Sequence, residues 1–137
     1  MNRIAVTHRG GDAFAVAVGD QRFTMDQPHA EGGGDTGPTP VEVFVAALAG
    51  CVAHYAHRYL ARHRLAHDGL TVETDFAMSP DPPARVQSVR MRIALPEELT
   101  EARRKALLAV VDHCTVHNSL RSPPDVRIDV DTETPAR

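Results

Sequence analysis

Two cysteines, Cys51 and Cys114, are the residues of this 137-residue chain whose chemistry is most easily turned to redox work. A pair of thiols can divide the labour: one thiolate attacks a peroxide oxygen and becomes a sulfenic acid, and the other condenses with it to a disulfide that an external dithiol reduces. That division needs Cα atoms within about 7 Å. The opposite reading takes each thiol as a small buried hydrophobe. Cys51 lies in Ala47-Leu48-Ala49-Gly50-Cys51-Val52-Ala53, where small residues let another backbone or a substrate approach closely. Cys114 lies in His113-Cys114-Thr115-Val116-His117-Asn118-Ser119-Leu120, where a one-turn helix starting at the cysteine would aim N–H groups at a thiolate.

Eight histidines raise a metal reading, with His54 and His57, His63 and His67, and His113 and His117 each spaced to share a helical face. Structural zinc sites combine four convergent ligands, and no cysteine pair here has finger spacing, so no metal is assigned. An imidazolium at His54 or His117 would also lower a nearby thiol's pKa; His54 stands about 300° around the helix from Cys51, on a neighbouring face. Gly32-Gly33-Gly34 lacks the lysine and context of a phosphate loop and reads as a flexible loop near the cysteine. Arg62-His63-Arg64 and Arg103-Arg104-Lys105 read as solvated helix faces in a chain of net charge −3 without tryptophan, which argues against nucleic-acid binding.

The elements that must position these groups follow from patterning. At 42% hydrophobic and 24% charged, the chain is an ordinary globular sequence, read as one domain over residues 1–137. Two cysteines are too few for a stapled secreted fold, and no leader pattern opens the chain, which points to a cytoplasmic protein with reduced thiols. Ile4 to Met25 carries three alternating stretches broken by Gly10-Gly11-Asp12 and Gly19-Asp20, a three-stranded meander. Asp26 to Pro40 is a long loop. Thr39-Pro40 starts a helix running to about His63. Its first half is apolar on every face, as expected of a central helix wrapped by a second subunit. Its uninterrupted apolar run, Val43 to Ala53, is shorter than the about 20 residues of a membrane span.

Leu70 to Met78 and Val86 to Leu95 form a hairpin in this reading. A second helix opens at Pro96 and runs to about Asp112, with Ala106, Leu107, Val110 and Val111 inward. Val126 to Asp131 alternates strictly and closes the fold as a strand.

Gly37-Pro38-Thr39-Pro40-Val41-Glu42-Val43-Phe44-Val45-Ala46-Ala47-Leu48-Ala49-Gly50-Cys51 resembles the first signature of the osmotically inducible protein C and organic hydroperoxide resistance family (OsmC/Ohr). Cys114-Thr115-Val116-His117-Asn118-Ser119-Leu120 resembles the second. The resemblance implies an α+β fold in an intertwined homodimer, with Cys51 peroxidatic and Cys114 resolving. It further implies an organic hydroperoxide substrate, a dithiol or lipoylated-protein reductant, no bound cofactor and a role in oxidative stress defence. The family's glutamate falls at Val41, ten residues before Cys51; Glu42, nine before, is the nearest carboxylate, although it projects roughly opposite Cys51. Arg9 and Arg22 are the candidates for the partner arginine, and Arg9 is chosen. Thr115 stands where the family commonly has proline.

The sequence thus predicts a thiol-dependent peroxidase with Cys51 and Cys114 catalytic, Glu42 and Arg9 assisting, and Phe44 and Leu48 lining an apolar substrate site. Its rivals are a non-catalytic member of the same fold that binds an apolar small molecule, its cysteines merely buried, and a metal-binding module.

Overall fold

The computed structural model describes residues 3–132. Strands β1 (Ile4–Gly10), β2 (Ala13–Val18) and β3 (Gln21–Met25) form an antiparallel meander. Register sets Ile4 opposite Val18, Val6 opposite Val16, and Val16 opposite Phe23. Since side chains alternate across a sheet, these apolar residues share one face. Only the central Val16 is covered. Ile4, Val6, Phe14, Val18 and Phe23 are 37–61% exposed, and the meander's extensive contacts run between its own strands.

The following loop is ordered around one buried carboxylate. Asp26 accepts hydrogen bonds from the backbone N–H of Gln27 (2.7 Å), Gly34 (3.4 Å) and Thr36 (3.1 Å) and from the Thr36 hydroxyl (2.6 Å). The chain doubles back so tightly that a Cβ at Gly33 would sit 2.0 Å from the Gln27 carbonyl oxygen, and one at Gly37 2.2 Å from that of Thr24. The glycines therefore permit close backbone approach, in place of the flexible loop that composition suggests. Nor is the loop near Cys51 within the chain. It delivers Thr39 and Pro40, and Cys51 follows about 16 Å along the helix axis.

Helix α1 (Pro40–Arg62) begins in a capping box: the Thr39 hydroxyl accepts from the Glu42 N–H, and the Glu42 carboxylate accepts from the Thr39 N–H at 2.9 Å. By length and composition α1 could cross a membrane; here it is the core helix, packed against α2 and α3 and against the hairpin of β4 (Thr71–Met78) and β5 (Val86–Ala94). Its apolar first half remains partly open, with Val41 and Phe44 exposed. Cross-strand Glu73 and Arg92 form an ion pair on the hairpin surface.

Helix α2 (Glu101–Val111) starts five residues later than Pro96, because the Thr100 hydroxyl accepts from the Arg103 N–H and so sets the first turn. Leu107 and Val111 are buried, whereas Ala106 faces outward. Helix α3 (Thr115–Arg121) follows a short turn. The expected strand over Val126 to Asp131 is not formed. Alternation gives a segment one apolar face but not a neighbouring edge, and among the described residues none pairs with it. Val126, Ile128 and Val130 are 72–93% exposed.

Candidate functional site

Helices α1, α2 and α3 converge on one cluster: Leu48, Val52, Ala56, Tyr59 and Leu60 from α1, Leu107 and Val111 from α2, and Cys114 before α3. Cys51, half-buried, packs against that cluster, so the two cysteines, 63 positions apart in sequence, meet on its border; both are free thiols. Cys114 is fully buried as the N-cap of α3, where its Sγ accepts the His117 N–H at 3.4 Å. Two further ties hold α3 in place. The Arg121 guanidinium donates to the carboxylate and the carbonyl of Asp112, each at 2.8 Å, and the Asn118 amide donates to the His113 carbonyl at 3.2 Å.

Burial dominates the electrostatics of Cys114. Burial pushes the Cys114 thiol above its ordinary range; the His117 N–H opposes this, while a hydrogen bond to Cys51 and a charge on Cys51 reinforce it. The helix-start position thus does not make Cys114 the thiolate that spacing suggested, because desolvation outweighs the N–H groups. Asp112 is held below the usual carboxylate range, first by its hydrogen bond to Arg121.

The remaining candidates divide. Leu48 is buried beside the cysteines, and Phe44, two turns before Cys51, is exposed on the same side of α1. Glu42 is engaged at the helix start, about 13 Å along the axis from Cys51. Arg22 donates to the Gly19 and Gln21 carbonyls of its own turn. Arg9, exposed in β1, has no ion-pair partner among the described residues. The histidines do not converge: His54 meets the Tyr55 ring edge-on, His57 meets His67, and His63 meets Tyr59. Among the described residues no three His, Cys, Asp or Glu side chains are grouped to hold a metal ion.

Two features escape spacing arguments aimed at the cysteines alone. The Asp26 cradle is one, since a single aspartate in a glycine-rich loop carries no motif. The other is a hydroxyl pair, Tyr55 Oη and Thr115 Oγ1 at 2.9 Å, linking α1 to α3. Its only sequence signal is that Tyr55 lies one helical turn after Cys51 and Thr115 immediately after Cys114.

A cysteine on the central helix, a hairpin, and a second cysteine before a short helix form the framework that the two signatures imply. The family model described as OsmC-like protein matches residues 32–129, which contain both cysteines. This chain belongs to the OsmC-like family. A Psychrobacter arcticus protein named for osmotic stress and detoxification responses superposes with a TM-score of 0.80 at 22% identity, covering 87% of this chain and 88% of that one. An OsmC-like protein of Mycoplasma pneumoniae gives 0.74 at 16% identity, covering 90% and 89%. The organic hydroperoxide resistance protein OhrB of Bacillus subtilis gives 0.63 at 18% identity, covering 90% and 92%. No curated protein matches the sequence. The OsmC-like fold accounts for the α+β architecture, the meander, the second sheet and the three helices.

Proposed function

We propose that this OsmC-like protein reduces organic hydroperoxides through Cys51 and resolves the oxidised cysteine with Cys114. The reading is carried by two free thiols, one on α1 and one capping α3, that meet at one apolar cluster. Half-buried Cys51 is the thiol a substrate can reach. Its thiolate attacks a peroxide oxygen, the O–O bond breaks, the alcohol leaves, and Cys51 becomes a sulfenic acid. The Cys114 thiol condenses with it, forming the S–S bond and releasing water. An external dithiol or lipoylated protein then returns two electrons by thiol–disulfide exchange. Burial keeps Cys114 protonated until that second step. Phe44 and Leu48 offer apolar contact to the alkyl group, so cumene hydroperoxide should react faster than hydrogen peroxide; equal or reversed rates would remove that assignment.

The active form in this reading is a homodimer. The chain exposes 10730 Å² at 14.9 kDa, about half as much again as a compact monomer of that mass. A second copy covering the meander's apolar face and the open half of α1 would bury part of that excess.

Mixing reduced protein with stoichiometric cumene hydroperoxide tests the proposal. Expected are the loss of two thiols per chain with one peroxide consumed, no reaction in Cys51→Ser, and a trapped sulfenic acid in Cys114→Ser. Unchanged thiols in the native chain would favour the non-catalytic ligand-binding reading.

A further inference from the structure

The hydroxyl pair Tyr55–Thr115 is the only side-chain hydrogen bond between α1 and α3 among the described residues. It sits one turn beyond Cys51 on α1 and one residue beyond Cys114 on α3. Apart from the contact of Cys114 with Cys51 and the burial of Cys114 against α1, the bonds that fix the start of α3 tie it to the chain just before it: the Cys114 cap, Asn118 to His113, and Arg121 to Asp112. Those bonds set the shape of α3 but not its distance from α1. Tyr55 itself packs against the cluster that buries Cys114, so its ring is fixed and its hydroxyl has a defined position. A threonine at the first position of a helix is otherwise unremarkable, because its N–H is unsatisfied there in any case and proline fits the position equally well.

Closing a disulfide demands that two sulfurs in van der Waals contact move to about 2.05 Å with a narrow range of dihedral angles. We infer that Tyr55 and Thr115 are positioning residues for that closure: their hydrogen bond holds the start of α3 against α1 so that Cys114 addresses the sulfur of a modified Cys51. Neither residue touches the peroxide in this scheme. The inference builds on the proposed cysteine pair, and its test is separable from the peroxidase reading.

The test uses 5,5′-dithiobis(2-nitrobenzoate) and no peroxide. The Cys51 thiolate attacks the reagent's disulfide, releasing one thionitrobenzoate and leaving a mixed disulfide. The Cys114 thiol then displaces the second thionitrobenzoate, its proton passing to solvent, and the Cys51–Cys114 bond forms. Two phases of equal amplitude are expected in the native chain. Tyr55→Phe and Thr115→Val should slow the second phase about fivefold, the worth of one hydrogen bond, and leave the first within twofold. Thr115→Ser should keep the native rate, since it keeps the hydroxyl. The double variant should be no slower than the slower single, because both singles remove the same bond. Thermal melts of the variants show whether folding is retained.

A second phase unchanged in both single variants, additive slowing in the double, failure of serine to rescue, or no second phase in the native chain would each overturn the inference. A native chain that closes in this assay yet ignores hydroperoxide would overturn the peroxidase reading and leave the positioning role standing.

Discussion

The cysteine half of the molecule and its N-terminal meander were built from equally clear sequence patterns, but only the first is finished within one chain. Around Cys114, three helices bury Leu60, Ala56 and Leu107 almost completely. The meander pairs all three of its strands, with one bulge between His8 and Gly10, yet leaves an apolar face open, and the segment from Val126 to Val130 exposes its apolar residues with no strand partner among the described residues. Hydrogen-bond pairing is thus satisfied in the meander while burial is not. A sheet can complete its ladders locally and still leave an apolar face open.

Substitutions can break this contrast from either side. Leu60→Ala, in the completed half, should cost about 2–5 kcal/mol in urea unfolding; a loss below 1 kcal/mol would mean that the cluster is not the stability core. Phe23→Asp, on the open face, should weaken self-association at least tenfold by sedimentation, and a dimer of unaltered strength would place the interface elsewhere. Thr39→Ala removes one arm of the capping box and should cost about 1 kcal/mol, measured the same way.

The smallest effect concerns acid. Asp26 is held below the usual carboxylate range, first by the Thr36 hydroxyl, then by the Gln27 N–H, with burial opposing and the Thr36 and Gly34 N–H groups adding to it. A lowered folded value means that its contribution is fully present above the unfolded carboxylate range, about 4. It is lost as pH falls further, through the folded value. Stability measured across this window should fall less steeply in Asp26→Asn than in the native chain; parallel curves would exclude Asp26 as a source of the acid dependence.

Local signals carried most of the fold. Thr39-Pro40-Val41-Glu42 encodes a helix start through groups within one turn, and Gly10-Gly11-Asp12 encodes a strand turn, so both were legible. Val126 to Asp131 alternates like a strand yet forms none, because alternation specifies a face and says nothing of which edge receives it. The start of the second helix is ambiguous in sequence because Pro96 and the glutamates after it fit a first turn as well as Thr100 does, and only the hydrogen bond to Arg103 decides. At the site, the two signatures single out Cys51 and Cys114, while Glu42 is near Cys51 only in sequence and instead closes the capping box. Tyr55 and Thr115 are 60 positions apart, and no local pattern announces a bond that only the packing of α1 against α3 creates.

In the proposed cycle a single chain supplies both sulfurs. Peroxide-oxidised protein, alkylated and separated on a non-reducing gel before peptide mass analysis, tests it most directly. The prediction is a monomer-sized band whose peptides containing Cys51 and Cys114 are joined, two hydrogens lighter than their reduced sum. Covalent dimers linked through these cysteines, or Cys51 driven to sulfinic acid with Cys114 still free, would contradict it.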